Sequence, residues 1–174
     1  DLQLSATGPN LLTATSITVG HSDPPGNDAV LSTVTFGGGT NDVNTDTFYV
    51  ARRKSRATVT MLAGGTLNLA GDVNPATDLF IGHNDSAGTG TNTVGIVDLS
   101  GGTFNATLDE LRLGWHASGT GSGKGTLVFD DGVVNATLVS LGQASATGTS
   151  PSAKATERRS AAEIANAILP SSGV

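Results

Sequence analysis

The chain contains no cysteine, and charged and aromatic residues are scarce. Without cysteine, neither a disulfide bond nor a thiolate metal site can form. Charged residues make up only 14% of the sequence and the net charge is −6. This balance argues against nucleic acid or an anionic membrane as the main partner, because both select a basic surface. No apolar run approaches the roughly 18 residues that span a bilayer, so no transmembrane segment is predicted.

Glycine, with 24 of the 174 residues, is abundant, as are serine, threonine and asparagine. A chain of this length suits one domain, which can bury about 70% of its unfolded surface, so a real core is possible. The sequence opens at Asp1 with neither a methionine nor a basic and apolar leader. It therefore reads as a mature or excised piece, whose secretory signal was removed or lay upstream.

The glycine-rich segment GWHASGTGSGKGTLVF, at 114–129, has to be tested as a phosphate-binding loop. Lys124 follows Gly123 as that motif requires, but Ser118 stands where its first glycine belongs. Gly125 then replaces the serine or threonine that would hold Mg²⁺. The residues that follow are β-branched and aromatic, whereas a phosphate loop opens a helix. Nucleotide binding is therefore not predicted.

An internal repeat accounts for these glycines. The segments ITVG, FYVA, LFIG, LRLG and VSLG end at Gly20, Ala51, Gly82, Gly114 and Gly142, with spacings of 31, 31, 32 and 28 residues. Two further families of apolar segments, separated by a glycine turn, recur in front of them. Each repeat is thus predicted to contain three short strands followed by a polar loop.

Alternation within the strands predicts which side chains point inward. The third strands send two apolar columns inward: Ile17, Phe48, Leu79, Leu111 and Val139, and Val19, Val50, Ile81, Leu113 and Leu141. Their outward residues are Thr18, Tyr49, Phe80, Arg112 and Ser140. Leu62 is predicted to point inward from the first strand of its repeat.

Three short strands with one apolar face each cannot close a core alone, whereas stacked repeats pair each strand in parallel with its copy one repeat away. The sequence therefore predicts an all-β fold, a parallel β-helix (β-solenoid) of about four to five three-strand coils. An antiparallel sandwich is the alternative, since turn signals also recur every 8 to 12 residues or so. The constant long-range register favours the solenoid.

The tail differs from the repeats. Residues 1–142 are predicted to form the β-solenoid repeat domain, and 143–174 a Ser/Thr/Ala-rich linker with a short C-terminal helix at 156–169. Ser160 and Glu163 fit a capping box, and Pro170 would stop the helix. This helix could cover the last coil, whose open end would otherwise expose unpaired backbone groups.

Residues 113–142, LGWHASGTGSGKGTLVFDDGVVNATLVSLG, closely resemble the repeat of autotransporter passengers and PEP-CTERM-associated surface proteins. Both alternate an apolar-glycine end, a Gly-Thr-Gly loop, a Gly-Thr-Leu strand and a Leu-x-Leu-Gly strand. The resemblance implies a secreted bacterial β-solenoid that serves as a stalk, adhesin or surface-layer element. It carries over no catalytic motif, and the basic run at 52–56 departs from it.

Two matched tetrads, GHSD and GHND, make His21, Asp23, His83 and Asp85 weak candidates for metal ligands. The two pairs lie two repeats apart, roughly 10 Å at the spacing of β-strands, so one ion cannot join them. The plainer interpretation is an exposed polar loop whose Asp and Asn side chains cap turns.

The loops offer candidate interaction residues: Arg52, Arg53, Lys54, Arg56, Trp115 and His116. Four basic residues within five positions could hold an acidic polysaccharide or the carboxylates of a neighbouring subunit, or could form a solvated loop. A second candidate surface is the outward array of Thr66, Asn68, Thr103, Asn105, Thr107, Asn135 and Thr137, which could bind sugar or ice.

Catalysis would need a pair of acids on one coil. The candidates are Asp98, Asp109, Glu110, Asp130 and Asp131, but no paired arrangement recurs, and Asp-Asp-Gly is a good turn by itself.

The sequence thus predicts no enzyme and no cofactor. It predicts an extracellular or cell-surface structural or adhesive module that binds copies of itself, possibly end to end, or surface polysaccharide. The alternatives are a carbohydrate-active β-helix enzyme and a sugar- or ice-binding face.

Overall fold

The computed structural model describes residues 1–22, 31–85, 92–116, 122–144 and 155–158. This part of the chain contains strands and no helix, and hence no helix long and apolar enough to cross a membrane. Its 13 strands form one large sheet that is curled into a half-barrel. Every pair of hydrogen-bonded strands runs parallel. The antiparallel sandwich is therefore excluded.

The repeats contribute successive groups of strands, which we call rungs. The first rung is β1 to β3 and the last is β11 with β12. The strands are β1 (Leu2–Gln3), β2 (Asn10–Thr13), β3 (Ser16–His21), β4 (Leu31–Phe36), β5 (Thr40–Asn44), β6 (Thr47–Arg52), β7 (Arg56–Met61), β8 (Thr66–Ala70), β9 (Thr77–Asn84), β10 (Thr93–His116), β11 (Gly123–Asp131), β12 (Val134–Ala144) and β13 (Ala155–Arg158).

The third strands of successive rungs pair in the predicted register. Ile17 pairs with Phe48, Phe48 with Leu79, Leu79 with Leu111, and Leu111 with Val139. Residues about thirty positions apart therefore lie beside one another, and the apolar columns of the inner face are continuous. The prediction of parallel pairing between copies of the repeat is confirmed.

The overall curvature differs from the prediction, because the sheet is a half-barrel and not a closed solenoid. The fourth rung is one continuous strand. Strand β10 runs for 24 residues without a break and pairs along its length with β7, β8 and β9 in turn. The glycine turn expected near Gly101 does not interrupt the strand and is present only as an irregularity in the pairing register between Leu99 and Thr103.

The small residue that ends each repeat segment has a backbone reason. Gly20, Ala51, Gly82, Gly114 and Gly142 have φ angles of 75°, 61°, 71°, 70° and 66°. This left-handed conformation suits glycine, because a side chain there collides with its own backbone. At Gly82 an added Cβ would also meet the backbone carbonyl of Lys124.

The core lies on the inner face of the curled sheet. Its largest fully buried side chains are Phe36, Phe104, Leu67, Leu79, Ile81, Leu99, Leu108, Leu113, Leu127, Val43, Val50 and Val59. They come from the first, second and third strands of the rungs alike, so each rung contributes its apolar face to one cluster. Stacking the rungs removes this surface from water, which is the main favourable term in folding.

The prediction that Leu62 points inward is wrong. Met61 is 8% exposed and packs in the core, whereas Leu62 is 37% exposed. Aligning the repeats on their glycines placed Leu62 with Phe36, but the backbone pairs Phe36 with Met61. A shift of one residue in a strand exchanges its two faces.

The last rung continues the predicted columns but leaves them partly exposed. Val139 and Leu141 lie in the apolar columns but are 44% and 50% exposed. Their strand, β12, pairs only with β10 among the described strands. No described rung covers their far side, so the apolar columns end at an open edge.

The predicted C-terminal helix is wrong where the structure describes it. Residues 156–158 belong to β13, which pairs in parallel with β11, Gly125 with Ala155 and Leu127 with Glu157. The edge of β11 offers unpaired backbone groups, and a strand satisfies them where a helix would not. Residues 159–169 of the predicted helix, with Ser160 and Glu163, lie outside the described residues.

Adjacent substitutions test the inner face. Met61→Ala should lower the free energy of unfolding by about 2 to 5 kcal/mol, because it leaves a cavity in the core. Leu62→Ala should lower it by roughly 0.5 kcal/mol or less, because the side chain is at the surface. Urea unfolding followed by circular dichroism measures both. Equal losses in the two variants would contradict this assignment of the faces.

Candidate interaction surface

The left-handed residues also shape the outer face. Strict alternation would place residues three positions apart on opposite faces of a strand. Gly82 interrupts the alternation, so Phe80 and His83 come to lie on the same side, with their rings stacked at 5.0 Å and 28°. The same spacing across Ala51 and Gly114 brings together Tyr49 with Arg52 and Arg112 with Trp115.

Three rungs thus build one cluster, which we call the outer stack: Tyr49, Arg52, Phe80, His83, Arg112 and Trp115. The register forms two rows, in which Tyr49 is followed by Phe80 and Arg112, and Arg52 by His83 and Trp115. His83 and Trp115 stack with ring centroids 4.4 Å apart and planes 17° apart. Tyr49 and Phe80 lie 5.2 Å apart in a tilted arrangement.

Guanidinium groups cover the rings. The central carbon of Arg52 lies 4.5 Å from the ring centroid of Tyr49. That of Arg112 lies 5.0 Å from Phe80 and 5.4 Å from Trp115. Such cation–π contacts favour a planar guanidinium, which keeps its charge while its face packs on an apolar ring.

Carboxylates neutralise part of this charge. Asp85 accepts hydrogen bonds at Oδ2 from Arg52, at 2.7 and 3.0 Å, and at Oδ1 from Arg53 at 3.1 Å. Burial alone would raise the pKa of Asp85, but the hydrogen bond and charge of Arg52, with the charge of Arg53, lower it below its usual value. Glu110 receives three hydrogen bonds from Arg112, at 2.7 to 3.0 Å.

His83 lies at the centre of the stack and is 7% exposed. Burial lowers the pKa of its imidazole to about 4, and the charges of Arg112 and Arg52 add to the shift while Asp85 opposes it. Its Nδ1 has no hydrogen-bond partner among the described residues. The ring is therefore neutral at pH 7 and acts as an aromatic layer.

The metal candidates are not brought into one site. In the register Arg52 separates His21 from His83, as expected, and Asp23 lies outside the described residues. Both oxygens of Asp85 accept hydrogen bonds from arginine. Within the described ranges there is no group of three or more His, Cys, Asp or Glu residues that could hold a metal ion.

The predicted interaction residues separate into different places. Arg52 and Trp115 belong to the outer stack, and Arg53 contacts Asp85. Arg56 is exposed and begins β7, whereas Lys54 is half-buried. His116 is buried one position beyond the stack, beside Asn84 in the register. The basic run is therefore not one continuous loop surface.

The candidate catalytic acids mostly hold turns. Asp98 accepts hydrogen bonds from the backbone and hydroxyl of Ser100, and Asp130 from the backbone of Gly101 at 2.8 Å. Asp131 accepts one from the backbone of Gly132. Asp109 is exposed, and Glu110 is engaged by Arg112. These contacts are typical of carboxylates that cap turns.

The predicted asparagine column is hydrogen-bonded along the sheet. The amide of Asn68 donates to Asp42 at 2.8 Å, and that of Asn105 donates to Asn68 at 3.0 Å. The carbonyl of Asn105 in turn accepts from the backbone of Val133 at 3.2 Å. These amides bind one another across rungs, which leaves fewer of their polar groups for a ligand.

Sequence reasoning missed two features of the outer face. Phe80 was predicted to point outward, which it does, but only 8% of it is exposed because its neighbours cover it. The Arg52–Asp85 pair was also missed. Its signal was available, because an arginine-rich loop and a loop that contains Asp85 follow the same strand in consecutive repeats.

His83 makes stability depend on pH. Because its pKa is lowered on folding, the stability is fully present above the unfolded value of 6.5 and is lost as the pH falls towards 4. His83→Phe keeps an aromatic layer and removes this loss, which is of the order of 3 kcal/mol. We expect the variant to lose correspondingly less stability than the wild type in urea unfolding between these pH values.

The exposed His21 provides the control, since His21→Gln removes a histidine from the same row outside the stack. It should follow the wild-type pH dependence. Identical pH dependence in His83→Phe and the wild type would contradict the buried, neutral state of His83.

Comparison with known proteins assigns no family to this chain. No protein-family model matches it, and neither a curated protein nor a solved structure matches it. The resemblance of residues 113–142 to autotransporter passengers and PEP-CTERM-associated proteins stays a prediction.

Proposed function

We propose that the chain is a structural module that joins copies of itself end to end, as in an extracellular or cell-surface scaffold. The observation that carries this proposal is the match between the two ends of the curled sheet. Among the described strands, each end includes strands whose outer edge is unpaired, and the two end rungs have the same spacing of inward apolar residues.

The spacing is identical to the residue. On the first rung the inward residues are Leu12, Ile17 and Val19, and on the last they are Val134, Val139 and Leu141, each 122 positions later. The two sets belong to the same three columns, which run through every intervening rung. A second copy can therefore continue these columns without a change of register.

Both ends leave backbone groups and apolar side chains uncovered. Among the described strands, β2 and β3 pair on one side only, and so does β12. A cavity of about 330 Å³ opens beside the first rung. Its lining includes the apolar residues Ile17, Val19 and Phe48, together with Asp1, Ser32 and Thr33. Val139 and Leu141 of another copy have the right chemistry to fill it, since burying apolar area drives association.

The symmetry of such a contact favours a filament. The two surfaces belong to opposite ends of the molecule, so the interface is head to tail. A head-to-tail assembly that does not close into a ring continues indefinitely. The outer stack lies on the side of this rod, where its contacts tie three rungs together. The turn-capping carboxylates and the hydrogen-bonded asparagine column favour this role over that of an enzyme or a sugar- or ice-binding face.

Introducing a charge on the exposed strand β12 tests the proposal. The wild-type chain should self-associate with rising concentration in sedimentation velocity and form rods in electron micrographs. Leu141→Lys should weaken association by about tenfold or more, because it buries an unpaired ammonium group in the contact. Ser140→Lys is the matched control, since it adds the same charge on the outward side of the same strand.

Ser140→Lys should associate much as the wild type does. A wild-type chain that stays monomeric at every concentration would overturn the proposal. So would an effect of Leu141→Lys no greater than that of Ser140→Lys.

A further inference from the structure

The outward column that contains the hydrogen-bonded asparagines is polar inside the chain and apolar at its two ends. Its interior members are Asp42, Asn68 and Asn105, which are linked by hydrogen bonds. The register places Leu11 beside Asp42, and the backbone of Val133 lies beside Asn105. The interior members are half-buried, whereas Leu11 is 69% exposed and Val133 is 49% exposed. The apolar members of this column are therefore its most exposed ones.

These two apolar residues match across the proposed end-to-end contact. Val133 follows Leu11 by 122 positions, the same separation as between the inward residues of the first and last rungs. A second copy that continues the inward columns therefore brings its Leu11 beside Val133 of the preceding copy. Neighbouring strands lie about 4.8 Å apart, which is close enough for the two side chains to pack together.

The strands at the two ends also lack the charged residues that the interior rungs carry. Strands β2, β3 and β12 contain no aspartate, glutamate, lysine or arginine. The corresponding strands of every interior rung contain at least one, and these include Asp42, Asp78 and Glu110. Charged side chains on an edge are a common device against pairing with another chain. Among the described strands β13 pairs with β11, so the edge that stays open to a second copy is that of β12.

We propose that Leu11 of one copy packs on Val133 of the next, in an apolar contact on the outer face that selects the register of assembly. This inference rests on the proposed end-to-end assembly. The exposed residues two positions on either side of Val133 are Asp131 and Asn135. A slip of two residues would place Leu11 against one of these polar side chains, and a slip of one would exchange the faces of the strand. The apolar contact therefore favours one register over its neighbours.

A pair of opposite charges tests this contact in the full chain. Leu11→Lys and Val133→Glu should each weaken self-association in sedimentation velocity by about fivefold or more, because each removes the apolar contact and desolvates a charge. Both positions are exposed, so the circular dichroism spectra should match that of the wild type.

An equal mixture of the two variants should associate again. In an alternating assembly the introduced ammonium group of Leu11→Lys meets the introduced carboxylate of Val133→Glu at every second junction. The junctions between them have the wild-type residues.

Thr13→Lys is the matched control, since it adds the same charge at an exposed position on the same strand. The register places Thr13 opposite the polar Asn135 of the preceding copy. Thr13→Lys should therefore associate much as the wild type does, and it should restore Val133→Glu less well than Leu11→Lys does.

Wild-type association in both Leu11→Lys and Val133→Glu, while Leu141→Lys still weakens it, would overturn the outer contact and leave the proposed assembly intact. A mixture that associates no better than either variant alone would also overturn the outer contact. Absence of association in the wild-type chain would overturn both.

Discussion

Parallel pairing of each strand with its copy one repeat away is the constraint on which the rest of the structure depends. It brings residues about thirty positions apart into contact, and a slip of one residue would exchange the inner and outer faces. The apolar columns that contain Leu79 and Leu111, the hydrogen-bonded asparagines and the outer stack all follow from this one register. Each rung thus depends on its neighbours for its core and for its backbone hydrogen bonds.

The same pairing explains both the outer surface and the ends. A left-handed residue at the close of each third strand changes the alternation, so that residues on either side of it, such as Phe80 and His83, stack on the outside. At the ends the pairing has no internal limit, because a parallel sheet exposes the same donors and acceptors at its edge that it uses inside. A module of this kind needs a further strand there, and among the described strands β13 supplies one to β11.

Much of the fold could be predicted from the sequence. The spacing of Gly20, Ala51, Gly82, Gly114 and Gly142 contains the period of the repeat, and alternation identified most of the core. The errors arose where local information is ambiguous. Aligning the repeats on their glycines misplaced Leu62, because a turn can gain or lose a residue while the pairing of the strands stays the same. The start of the predicted C-terminal helix, residues 156–158, pairs instead with the edge of β11.

The sequence by itself determined the period, the parallel pairing and the residue types of each column, because all three follow from a pattern that recurs along the chain. Only the tertiary structure decided that the sheet curls into a half-barrel, that His83 is buried between aromatic rings, and that Asp85 pairs with Arg52. Curvature depends on how the rungs pack on one another, and the side-chain contacts depend on distances across rungs. Neither quantity is local in the chain, so residue order alone does not specify them.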